Sequence, residues 1–88
     1  QSHIMRMLED AAEYLLLNVI RELAKNYKVS NETIHFMASF YRFSFAGVIF
    51  DWIEKGMHEN PQKIVDQVAI LMQGTFASAL ERFEKAKK

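Results

Sequence analysis

Few residues in this chain are equipped for chemistry: His35, His58, an arginine at position 42 and a single tryptophan, Trp52. Glu32 and His35 stand three apart, the spacing of one half of a di-iron carboxylate site on a helix. Such a site needs that pair twice, with inward glutamates from two further helices, and here the pair occurs once. A solvated pair is the plainer reading. Glu54 and His58 are four apart, but Gly56 between them should break a helix and leave His58 in a loop. There is no glycine-rich phosphate loop and no Gly-x-Ser-x-Gly elbow. No set of nucleophile, base and orienting group converges anywhere in the sequence. With no cysteine, a disulfide framework, a thiolate zinc site and a cysteine nucleophile are excluded. The chain is therefore expected to be no enzyme and to hold no metal or cofactor.

Arg42 lies inside an otherwise apolar run, where an arginine is seldom fully buried unless paired. A carboxylate on a neighbouring helix is its expected partner, ahead of an anionic effector, because buried charges come in pairs. Tyr41, Arg42, Phe45 and Trp52 are the candidates for an effector pocket. The competing reading for the aromatics is plain core, the more common role of an aromatic stripe at helical spacing.

Three helices have to position these residues. From Met7 to Tyr27, Leu8, Ala11, Ala12, Leu15, Leu16, Val19, Ile20 and Leu23 recur at three- and four-residue spacing between charged residues, the mark of an amphipathic helix. Glu9 and Asp10 near its start and Lys25 and Lys28 near its end match the helix dipole. Ser30 is the expected cap of a second helix beginning at Asn31. Val29 and Ile34 have the spacing of a hydrophobic staple, and Gly56 is a left-handed stop. Asn60 and Pro61 open a third helix as cap and first residue. Its stripe is Ile64, Val68, Leu71, Met72, Phe76, Ala79, Leu80 and Phe83, followed by a basic, solvated tail of Arg82, Lys85, Lys87 and Lys88.

The second helix is unusual. Seven of the chain's eleven aromatics fall between Phe36 and Trp52, and Phe36–Ile53 is apolar nearly all the way round. Its length approaches a membrane span, but Arg42 and Asp51 oppose that reading, since a charge at mid-bilayer costs at least roughly 2.5–3.5 kcal/mol. An all-round apolar helix in a soluble protein is a buried one. Its stripes are Phe36, Phe40, Phe43, Gly47 and Phe50; Met37, Tyr41, Phe45, Val48 and Trp52; and Ser39, Arg42, Ala46, Ile49 and Ile53. Two neighbouring helices cannot cover all three, and an uncovered aromatic face is an interaction surface. Small residues permit close helix approach, so Ser39, Ala46, Gly47, Gly74, Ala77 and Ser78, with Ile49 and Ile53 of the third stripe, are the candidates for a homodimer interface. The expected form is a four-helix bundle of the last two helices with their copies.

Composition agrees with a small helical domain. Eighty-eight residues allow one domain. A chain of that size buries only about 60% of its unfolded surface, which leaves it marginal alone. Eleven basic and eleven acidic residues cancel, against the basic excess of a nucleic-acid-binding domain. Half the residues are apolar, so disorder is excluded as well. Gln1-Ser2-His3-Ile4-Met5 reads as a cleaved-tag or cloning remnant ahead of a domain at residues 6–88, itself cut from a longer protein.

At Trp52-Ile53-Glu54-Lys55-Gly56-Met57, followed by Glu59-Asn60-Pro61, the sequence resembles the C-terminal region of tetracycline-repressor (TetR) family transcriptional regulators. It is most similar to the branch containing the dihydroxyacetone-kinase regulator. Ser30-Asn31-Glu32-Thr33 ahead of Phe40-Tyr41 resembles the start of that family's penultimate helix, and the resemblance runs from Leu8 to Leu80. It implies a cytoplasmic regulator that dimerises through its last two helices and, in many members, takes a small-molecule effector. DNA would be read by an N-terminal helix-turn-helix domain that nothing in this chain matches. A second reading, from the residues alone, is a stand-alone helical adaptor binding another protein through the aromatic face of helix 31–55.

Overall fold

The computed structural model describes residues 3–86, and they form four helices with no strand among them. Helix α1 spans His3–Ala24, α2 Asn31–Glu54, α3 Pro61–Met72 and α4 Thr75–Ala86. The all-helical class is as expected; two boundaries and one connection differ. Helix α1 begins at His3, inside the segment set aside as a tag remnant, whose first two residues lie outside the described residues. With that earlier start, Glu9 and Asp10 sit beyond the first turn, which carries no acid. At its other end α1 unwinds after Ala24, and Tyr27 N–H donates to the Ala24 carbonyl at 3.0 Å. Lys87 and Lys88 of the basic tail also lie outside the described residues.

The caps of α2 and α3 form as their residue types require. Ser30 Oγ accepts from Thr33 N–H at 3.1 Å, and Asn60 Oδ1 from Gln62 N–H at 2.9 Å. Pro61 takes the first helical position of α3, where its missing N–H is no loss. Gly56 follows the end of α2 with φ of 93°, a left-handed backbone open to glycine and costly for other residues.

The expected third helix is two helices. It breaks at Gln73–Gly74, where Gly74 has φ of 75°. The reason lies in helical phase. At 3.6 residues per turn, Ile64 and Leu80 in one continuous helix would point about 160° apart. Both carry apolar side chains that need a neighbour, and one straight rod cannot turn both toward it. The break lets α4 turn Leu80 and Ala79 inward, where both are buried. Helix α3 buries none of its residues, although Ile64 and Val68 are half-buried. Gly74 is therefore a joint between two elements rather than a close-packing position inside one helix.

The core lies between α1 and α2, and α4 closes one side of it. Ile20 and Leu80 are the large side chains with no exposed surface, packed with Leu16, Ile34, Met37 and Ala38. Alanines at 12, 24, 38, 46 and 79 are all buried, which lets the helix axes approach closely. Val29 and Tyr27 pack from the connection onto this cluster, which includes Ile34. Tyr41 and Phe76 meet edge-to-face at 5.1 Å and tie α2 to the first turns of α4. The Lys28 N–H donates to Glu84 at 2.9 Å and fixes the far end of α4. No described helix is long and apolar enough to cross a membrane.

Candidate functional site

Helix α2 has two apolar faces, and they are opposed. Ile34, Met37, Ala38 and Ala46 are buried on one of them. About half a turn away, Phe36, Phe40 and Phe43 are 60%, 62% and 54% exposed. Gly47 lies on that outer face, and a Cβ added there would meet nothing within 4 Å. The all-round apolar helix is thus only half covered within the protomer. The exposed phenyl rings include a stacked pair, Phe36 and Phe40, with centroids 6.3 Å apart.

Of the interface candidates, Ala46 has no accessible surface and cannot reach a partner. Ser39 and Ile53 are half-buried at the margins of the core face, and Ile49 is 41% exposed. Gly74 and Ser78 are exposed and Ala77 is half-buried, so these three remain accessible along the α3–α4 side. Sequence reasoning named the phenylalanine stripe as one of three and an uncovered aromatic face as an interaction surface, but of that stripe only Gly47 was among the dimer candidates. The cue was the spacing Phe36, Phe40, Phe43, Gly47 and Phe50, which shares no positions with the stripe that holds Ala46.

The four effector-pocket candidates do not converge. Arg42 Nη1 donates to Glu13 Oε1 on α1 at 3.3 Å and also bonds Ser39 Oγ. Its guanidinium carbon lies 4.4 Å from the centre of the Phe43 ring. This is the carboxylate partner expected on a neighbouring helix, and both side chains are mostly shielded. Tyr41 lines a groove of about 270 Å³ between α2 and α4, with Phe36, Phe40, Arg82 and Phe83. Phe45 lines a wholly apolar groove of about 230 Å³ with Leu15, Val19, Ile49 and Phe76. Trp52 lines a third concavity, about 380 Å³, between the end of α2 and the start of α3.

This third cleft combines apolar walls with polar rims. Val48, Asp51 and Trp52 of α2 and its C-cap Lys55 lie opposite Ile64 and Gln67 of α3. The connecting turn adds His58 and Glu59. Trp52 Nε1–H donates to the Glu59 carbonyl at 2.7 Å, which clamps the turn against the helix end. Lys55 pairs with Asp51 at 3.0 Å, and Glu59 with Lys63 at 3.3 Å. The hydrogen bond to Asp51, then that carboxylate's charge, holds the Lys55 ammonium above its ordinary pKa. His58 is exposed, as a loop histidine should be, but its ring lies over Gly56. A Cβ added at Gly56 would stand 2.7 Å from His58 Nε2.

His35 is occupied elsewhere. Arg21 has only donors to offer, so its Nη2 donates to His35 Nε2, at 3.1 Å. Among the described residues no group of three histidine, aspartate or glutamate side chains is placed to hold a metal ion.

A family model described as a transcriptional regulator C-terminal region, of the TetR type, matches residues 1–74. The match includes α1, α2 and α3 whole and stops at the Gly74 joint. No curated protein and no solved structure matches the chain.

Proposed function

From the premise that the chain belongs to the TetR-type family of transcriptional regulator C-terminal regions, we propose that it is the dimerising, effector-responsive part of such a regulator. In this reading it performs no catalysis, and DNA is read by a helix-turn-helix domain outside residues 6–88. Effector binding changes the helical packing and so the separation of two DNA-reading heads, a shift between populated states. The resemblance of Trp52-Ile53-Glu54-Lys55-Gly56-Met57 to the dihydroxyacetone-kinase-regulator branch supports a reading within that branch, and in this reading the regulator acts in the cytoplasm.

The observation that carries the dimer is the outer face of α2, Phe36, Phe40, Phe43, Gly47 and Phe50, set opposite the core. Surface area supports it. The protomer exposes 6464 Å², whereas a compact monomer of 10.3 kDa exposes about 5,400 Å². The excess is similar to the roughly 800 Å² that each partner contributes to a standard interface. A radius of gyration of 14.4 Å, against about 12 Å for a compact chain of this length, points the same way. Gly47, with open space above it, is where two α2 helices can cross most closely.

Sedimentation equilibrium at micromolar concentration tests this reading. Twice the chain mass is expected for the native sequence, and a monomer for Phe40→Glu, which sets a charge at the centre of the stripe. A monodisperse native monomer would sink the dimer and favour the adaptor, whose aromatic face awaits another protein.

A further inference from the structure

We infer that the cleft between the end of α2 and the start of α3 is a binding site for a small, neutral, planar ring compound carrying a hydrogen-bonding edge. This inference rests on the effector reading above and gives it a location and a ligand class. The cleft's volume of about 380 Å³ falls near the lower end of small-molecule sites, which run roughly 300–1,000 Å³. Its walls are the Trp52 ring, Val48 and Ile64. An aromatic wall with aliphatic neighbours favours a flat apolar body stacked in an offset or edge-to-face manner.

The rim decides the polarity of the ligand. Three of its charged groups are already engaged, Lys55 with Asp51 and Glu59 with Lys63. The Trp52 indole N–H is also used, by the Glu59 carbonyl, so only the face of that ring is on offer. Among the described lining residues, the His58 imidazole and the Gln67 side-chain amide are left without a protein partner. They stand on the turn and on α3, across from the α2 wall, and between them supply both donors and acceptors. A ring with a carbonyl or ring nitrogen at one edge satisfies them. An anion does not suit the site, because the lining holds two carboxylates and one ammonium that is already paired.

The site is also built to adjust. Helix α3 buries no side chain and is bounded by two left-handed glycines, Gly56 and Gly74. A ligand between α2 and α3 would therefore change the seating of α3 with little disturbance of the α1–α2 core. Differential binding to the two seatings is what an effector requires.

The test is an NMR titration of the ¹⁵N-labelled chain with coumarin, a neutral bicyclic lactone. The single tryptophan gives one indole N–H signal, which reports directly on the cleft. The expected result is saturable shifts at that signal and at the amides of His58 and Gln67. His58→Ala and Gln67→Ala should each weaken binding by about fivefold, the effect of one net hydrogen bond. Coumarin-3-carboxylate, the same ring with an added negative charge, should bind more weakly than coumarin. Saturable shifts confined to the Leu15–Phe45 groove would overturn the cleft and leave the effector reading standing. Affinity indifferent to both substitutions, or tighter binding of the carboxylate, also overturns the cleft. An absence of saturable shifts anywhere in the chain overturns both.

Discussion

Arg42 shows how one polar residue is accommodated in an apolar helix. One nitrogen of its charged head, Nη1, meets both Glu13 on α1 and Ser39, and its flat face lies on the Phe43 ring. The ring contact suits a guanidinium better than an ammonium, which lacks the plane. Arg42→Lys should therefore lower stability by about 0.5–1 kcal/mol, within the range of surface ion pairs and weak cation–π contacts. Chemical denaturation measures this, and an Arg42/Glu13 double-mutant cycle isolates the pair. A coupling energy indistinguishable from zero would show that the guanidinium serves packing alone. Lys55 offers a smaller effect with a definite sign. Asp51 raises its pKa above the ordinary 10.5, so the pair's contribution is complete below that value and is lost as pH rises through the folded-state pKa. Removal of Asp51 should flatten the stability profile in that alkaline window only. The pair is fully exposed, so the change will be small.

Among the elements, the glycine joints separate what packs from what does not. Ala at Gly74 would force a side chain into φ of 75°, at a cost of roughly 1–2 kcal/mol. The space around the position is open, so the cost is one of backbone conformation alone. Gly74→Ala should lower stability by about that much, whereas Gly74→Asn, which tolerates the left-handed region, should lose less. Thermal melts of both variants check this, and equal losses would mean that the joint is not left-handed in solution. The caps and the Gly56 stop illustrate what local sequence can reveal. Ser30, Asn60 and Pro61 act on groups within a few residues, so their roles were legible from residue type. The break at Gly74 was not, because Ile64 through Phe83 passes for one broad stripe until the inward directions of Leu80 and Ile64 are compared. Arg42's need for a carboxylate was legible, and the identity of Glu13 was not, since that depends on helix register across 29 residues. The site suffered most. Tyr41, Arg42, Phe45 and Trp52 share one helix, but successive faces of that helix look into different grooves. His58 and Gln67 come to Trp52 only through the fold of the α2–α3 turn.

For the whole molecule, the question is whether one copy is a complete folding unit. The core is thin: two large side chains are fully enclosed, and the described residues span 48 × 27 × 17 Å. A body 17 Å deep is less than two helix diameters, each roughly 10–12 Å, so every helix keeps an outer side in water. On α2 that side is aromatic, and on α3 Ile70 and Leu71 are 74% and 78% exposed. Burying a large apolar side chain contributes roughly 1.5–3 kcal/mol, so covering these faces would rival the entire stability of a small domain. Folding and association should then be coupled, and the melting temperature should depend on protein concentration. Mass action over a hundredfold range of concentration is worth about 2.7 kcal/mol, which for a dimer of two such chains corresponds to roughly 5–10 °C. Melting curves across that range should shift upward accordingly, and Phe40→Glu should abolish the shift while lowering the melting temperature at high concentration. A transition independent of concentration would mean that the α1–α2–α4 core suffices for folding, and that the phenylalanine face serves a partner other than a second copy.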